Sequence, residues 1–144
     1  MGDYNAEFMS SGAAAEEKNV AAVLPLIVAE LGAPPSTLVD AGCAAGGWVR
    51  EFVKAGIDAV GYDGPWAERH LVIPRDRFIP HNLERPLPID SRYEMAVSIE
   101  VAEHLSPKRG PGFVADLCAL SDVVLFSAAL PGQSGTHHIN PRWQ

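Results

Sequence analysis

Ser36-Thr37-Leu38-Val39-Asp40-Ala41-Gly42-Cys43-Ala44-Ala45-Gly46-Gly47-Trp48 is the stretch from which the rest of the chain can be read. Thr37, Leu38 and Val39 form a short apolar run of β character that ends in an acid. Small residues follow over 41–47. Helical spacing then begins, with Trp48, Phe52 and Ala55 on one face and Arg50, Glu51 and Lys54 off it. The predicted order is strand, glycine-rich turn, helix. Such a turn lets a ligand lie against bare backbone at a helix N-terminus, because glycine lacks a Cβ and accepts positive φ. The spacing is D-x-G-x-x-x-G, not the G-x-G-x-x-G that cradles a dinucleotide pyrophosphate. An acid at the strand tip repels a pyrophosphate and suits a cationic or amino-bearing ligand.

Downstream, Gly56 is a natural helix C-cap, and residues 57–62 read as a second strand ending at Asp63-Gly64-Pro65. Asp63 stands where a nucleotide-binding βαβ unit puts the acid that accepts hydrogen bonds from both ribose hydroxyls. An Asp-Gly pair is also an ordinary turn. Residues 66–70 suggest a short helical turn and 77–79 a short third strand, followed by His81-Asn82-Leu83. Residues 84–92 carry Pro86 and Pro88 and read as a loop. A fourth strand over 93–99 runs into Glu100-Val101-Ala102-Glu103-His104-Leu105. Residues 107–111 read as an exposed turn, and 113–120 as a helix with Phe113, Leu117 and Leu120 inward. Residues 122–127 form a fifth strand, whose nearly continuous apolar run suits a parallel strand covered on both faces. Upstream, residues 13–31 form an alanine-rich helix that Pro25 is expected to kink or divide. Residues 1–12, with Tyr4, Phe8 and Met9, are either a frayed arm or a lid over the pocket.

The D-x-G-C-x-x-G turn and the S-x-E-V-x-E-H-L segment over 98–105 resemble the class I S-adenosylmethionine-dependent methyltransferases that act on small molecules. That family usually has G-C-G-x-G in the turn, so Ala44 stands in place of its middle glycine. The resemblance implies an α/β, three-layer Rossmann-like sheet, mostly parallel, in one domain over 1–144, with its cofactor-binding core over 36–144. It implies that Asp40, Gly42, Cys43 and Gly46 hold the methionine portion of S-adenosylmethionine. Asp63 would hold the ribose, Asn82 and Leu83 the adenine, and Glu100 the pocket mouth, where cofactor meets acceptor. His104 and His138 are the candidate catalytic bases, His104 first, because histidine is the side chain poised near neutral pH. Asn140 would orient the acceptor. The family's full domain has seven strands and the pattern here gives five; the last two, an antiparallel hairpin, are not in it. A homodimer would cover the edge that this leaves open beside the fifth strand.

The composition narrows the partners. The chain has 144 residues, 47% of them hydrophobic, and a net charge of −7 without a basic run. Nucleic-acid affinity rests on phosphate contacts, so a nucleic-acid substrate is disfavoured and a small-molecule acceptor expected. The N-terminal residues carry no positive n-region, so no secretory leader is expected, nor any membrane span. Cys43 and Cys118 read as reduced thiols in apolar surroundings, which suits the cytoplasm. Glu103, His104, His137 and His138 could meet in space, but no H-x-x-x-H or C-x-x-C spacing enforces a metal site, and none is expected. Two competing readings share parts of this pattern: a degenerate, non-catalytic binding subunit, and an NAD-dependent oxidoreductase, which would also use Asp63.

Overall fold

In the computed structural model, which describes residues 6–130, 133, 138 and 139, the opening stretch becomes β1 (Thr37–Ala41), a glycine turn, and α2 (Gly47–Lys54). Before it lies α1 (Ala6–Leu31); after it come β2 (Asp58–Asp63), β3 (Phe78–Pro80), β4 (Met95–Ile99), α3 (Gly110–Leu120) and β5 (Val124–Ser127). The strands form one sheet in the order β3-β2-β1-β4-β5, and every pairing is parallel. β1 lies at its centre, with Val39 opposite Val60 on one side and Ala96 on the other.

Alternation along the strands divides the core into two layers. Leu38, Met95 and Val97 pack with Val49 and Phe52 of α2 and with Val20 and Ile27 of α1. Val39, Ala41 and Ala96 pack with Phe113, Leu117 and Leu120 of α3. Helices therefore cover both faces of a parallel sheet, the three-layer arrangement expected. The chain order brings the ends of β1, β2 and β4 together at one edge, on either side of the point where the strand order reverses. Open α/β sheets bind ligands there.

Several elements depart from the sequence reading. α1 begins at Ala6, so residues 6–12 are its first turns and not an arm; residues 1–5 lie outside the described residues. The helix also runs unbroken through Pro25. Pro25 is exposed, where water can serve the carbonyl that its missing N–H leaves without a donor. α2 buries Val49, Glu51 and Phe52, while Trp48 is only half-buried and Ala55 is exposed. Its buried Glu51 is tolerated because Arg50 and Lys54 both bond its carboxylate. α3 starts at Gly110, with Pro111 in its first turn, and so takes in the last two residues of the predicted 107–111 turn. β5 is not covered fully on both faces: none of its residues is fully buried, and Phe126 is 38% exposed; among the described residues it also pairs only with β4. Cys118 is also exposed on α3, whereas Cys43 is buried as expected.

Candidate functional site

The turn between β1 and α2 is held by its own amides. The N–H groups of Gly42 and Cys43 both donate to the Tyr62 carbonyl, at 2.8 and 3.1 Å, and that of Gly46 donates to the Cys43 carbonyl at 2.8 Å. The Ala44 N–H donates to Asp63 Oδ2 at 2.7 Å. Gly42, Ala44 and Gly46 have φ of 99°, 48° and 89°. Ala44 thus takes the left-handed conformation that the family's glycine would adopt freely, at a cost of about 1 kcal/mol.

The missing Cβ atoms also make room within the chain. A Cβ on Gly42 would strike Val101, one on Gly46 would strike Ile73, and one on Gly47 would strike the carboxylate of Glu16. The glycines let Val101, Ile73 and Glu16 close onto the turn. Cys43 likewise points away from a ligand: its Sγ fills the place where a Cβ on Gly61 would sit. It contributes turn geometry through its backbone. Burial pushes its thiol pKa up, with Asp40 and Asp63 adding to the effect.

Carboxylates cluster beside the turn. Asp40, at the end of β1, is 4% exposed, and its pKa is pushed up to about 8 by burial first, then by Asp63 and Glu16. Asp63, at the end of β2, is buried too, which raises its pKa, while hydrogen bonds from Ala44 and Gly64 act the other way. Gly64 N–H reaches Asp63 Oδ1 at 2.6 Å. Burial also raises the pKa of Glu16, with Arg50 opposing it and Glu51 adding to it. Asp40, Asp63 and Glu16 thus gather three carboxyl groups around the turn, which suits a cation better than an anion.

The third strand's tip is tied to the fourth's. Asn82 is exposed, and its Oδ1 accepts the Glu84 N–H at 3.0 Å, which starts a turn. Leu83 is buried, and its carbonyl accepts from Arg109 Nε at 2.7 Å. Glu84 in turn accepts from the Ser106 N–H and hydroxyl, at 2.7 and 2.8 Å. The sequence reading missed Arg109. It is buried, pairs with Asp116 and lies over the Phe113 ring, although a lone arginine in a P-K-R-G-P run looks like an exposed turn. Glu16 and Val101 were missed as well, because nothing local says that they close onto glycines so far away in sequence.

The segment after β4 forms the other wall. Glu100 has φ of 54°; its N–H donates to the Ser127 carbonyl at 3.0 Å and its carboxylate accepts from the Ser127 hydroxyl at 2.8 Å. A strained non-glycine residue held from two sides at a strand tip is the kind of backbone found at functional sites. A single 3-10 turn (Ala102–His104) follows. Within it Glu103 is fully buried and His104 is exposed, with its ring 5.3 Å from that of His138. His104 and His138 therefore come together. His137 and Asn140 lie outside the described residues.

An acid thus stands at two adjacent strand tips of a parallel sheet, with a glycine turn between them. The chain belongs to the methyltransferase domain family, whose profile matches residues 14–128. No curated protein matches the sequence. Solved structures of similar fold include DesVI of Streptomyces venezuelae, with a TM-score of 0.64 and 18% identity over 85% of this chain and 54% of that one. Magnesium protoporphyrin IX methyltransferase of Synechocystis, with S-adenosylmethionine bound, gives 0.56 and 21% over 84% of this chain and 62% of that one. The 1,6-didemethyltoxoflavin-N1-methyltransferase of Burkholderia thailandensis, with 1,6-didemethyltoxoflavin and S-adenosylhomocysteine bound, gives 0.53 and 23% over 74% and 48%. The chain thus spans between about half and three-fifths of these relatives' lengths.

Proposed function

We propose that the chain transfers a methyl group from S-adenosylmethionine to a small-molecule acceptor. The observation that carries this reading is the bonding of the turn. The amides of Gly42, Cys43, Ala44 and Gly46 already have protein acceptors, and Asp40 and Asp63 stand buried beside them. A pyrophosphate would find those donors occupied and carboxylates facing it. An amino group would find partners for charge-assisted hydrogen bonds.

The residues present fit the cofactor. Asp63 uses one lone pair on each oxygen for Ala44 and Gly64, which leaves acceptor capacity for two ribose hydroxyls. Asp40 serves the amino-acid end, with Gly42, Cys43 and Gly46 shaping the turn beneath it. Asn82 keeps a second Oδ1 lone pair for the adenine amine, and the backbone at Leu83, fixed by Arg109, frames the ring. Glu100 stands at the mouth. S-adenosylmethionine, when bound, would supply a sulfonium-activated methyl group that the acceptor displaces from sulfur. The chain aligns the two reactants, and His104, across from His138, takes the proton that the acceptor loses.

The net charge of −7 supports a small-molecule acceptor over nucleic acid. No helix among the described residues is long and apolar enough to cross a membrane. Two unpaired cysteines suit the cytoplasm, and the open β5 edge is the surface that a homodimer would pair. Calorimetric titration with S-adenosylhomocysteine and with NAD tests the cofactor. Binding of the first alone is the expected result, and binding of NAD alone would replace this reading with the oxidoreductase. Tight S-adenosylhomocysteine binding without methyl transfer to any acceptor would favour the non-catalytic subunit.

A further inference from the structure

We propose that Glu103, His104 and His138 form a binding site for a first-row divalent cation, whose open coordination positions take an oxygen of the methyl acceptor. The last clause rests on the reading of this wall as the acceptor side; the cation site itself does not. With an ion bound, both imidazoles ligate it, and the ion, by lowering the pKa of the acceptor oxygen it holds, takes the place of His104 as the means of proton loss. One ligand atom from each of the three residues lies within 4.8 Å of the other two. That is close enough for small side-chain movements to close the set around an ion with bonds of about 2.0–2.2 Å.

A second observation points to the same place. Among the described residues, the buried side-chain polar atoms without a hydrogen-bond partner are Glu103 Oε2 and His138 Nδ1, both in this cluster. Glu103 is fully buried, and its other oxygen accepts the Ala129 N–H at 3.2 Å. A carboxylate oxygen kept from water with nothing to bond is costly, and buried charges are paired or coordinate metals. The two loops are also fixed to each other, because the Ile139 N–H donates to the Glu103 carbonyl at 2.9 Å. His138 is thereby held beside Glu103 by the backbone next to it.

The donor set is two imidazoles and one carboxylate. Such a set suits zinc, iron, nickel or cobalt better than magnesium or calcium, which prefer oxygen alone. Three protein ligands also leave positions open, the pattern of catalytic rather than structural sites. No short-range spacing motif announces this site, because its ligands come from the segment after β4 and the segment after β5 and meet only through the fold.

The test is calorimetric titration of chelator-stripped protein with Co²⁺ and with Zn²⁺, each alone, alongside titration with S-adenosylhomocysteine. The expected result is one ion per chain, with affinity lowered at least about tenfold in both Glu103→Gln and His104→Ala. His104 is exposed, so its variant keeps the fold even if the buried Glu103→Gln does not. Failure of the wild-type protein to bind either ion, or equal binding by wild type and His104→Ala, would overturn the site. If S-adenosylhomocysteine binds and no ion does, the cation site falls while the proposed function stands. If an ion binds and S-adenosylhomocysteine does not, the cofactor reading falls and the cation site stands.

Discussion

The two walls of the crevice are built on different principles. The β1–β2 wall is bonded from within: its turn amides have protein acceptors, its glycines are packed by Val101, Ile73 and Glu16, and Asp63 is held by two N–H groups. The β4–β5 wall has a strained Glu100, a buried Glu103 with an unbonded oxygen, and two facing imidazoles. A cofactor common to many reactions needs a rigid, prearranged seat, which the first wall supplies. An acceptor, or an ion that carries it, needs side chains still able to bond, which the second wall keeps. Substitutions on the first wall should therefore change binding and stability, and those on the second should change turnover.

The sharpest contrast comes from Asp63→Ala and His104→Ala. Asp63→Ala removes the acceptor for Ala44 and Gly64 as well as for the ribose. Affinity for S-adenosylhomocysteine should fall by roughly a thousandfold, about 4 kcal/mol, because hydrogen bonds to a charged group contribute about 1.5–3 kcal/mol each. His104→Ala should lower kcat about a hundredfold while leaving that affinity within twofold, as expected of a group that acts only on the acceptor. A large affinity loss in His104→Ala would erase the distinction between the walls.

Asp40 sharpens the comparison through pH. Its folded-state pKa of about 8 lies above the ordinary 3.8, so between those values the folded protein holds more protons than the unfolded chain. Stability conferred by the neutral acid is then complete below pH 3.8 and is lost as pH rises towards 8. The raised pKa values of Asp63 and Glu16 act in the same sense. Asp40→Asn should flatten this decline, which at its steepest approaches about 1.4 kcal/mol per pH unit for one group. Urea unfolding midpoints at pH 5, 6.5 and 8 measure it, and an unchanged profile in the variant would show that Asp40 ionises normally.

The smallest effect concerns Ala44. Ala44→Gly relieves the left-handed strain at φ 48° and adds unfolded-state freedom, a net gain of about 0.5 kcal/mol. The thermal midpoint should rise slightly, with cofactor affinity unchanged. A drop in stability would mean that the Ala44 methyl makes contacts that outweigh the strain.

Local pattern made most of the first wall readable. The change from strand to helical spacing, the glycines and the tip acids lie within one short stretch, and the structure puts Asp40 and Asp63 at adjacent strand ends as expected. What the glycines pack against was not readable, since Val101, Ile73 and Glu16 are brought in by tertiary structure. The open edge beside β5 was readable, but the partial exposure of its faces was not: apolar content does not reveal how fully the layers around a strand cover it. The bonds of Arg109 and the approach of His138 to Glu103 depend on segments far apart in the chain, which no spacing in the sequence encodes.

A crystal structure with S-adenosylhomocysteine tests the central claim most directly. The ribose should bond Asp63, the amino-acid end should lie at Asp40, and the sulfur should face the wall of Glu100 and His104. A ligand bound in the reverse sense, with adenine at Asp40, or one lying outside the crevice between β1 and β4, would contradict it.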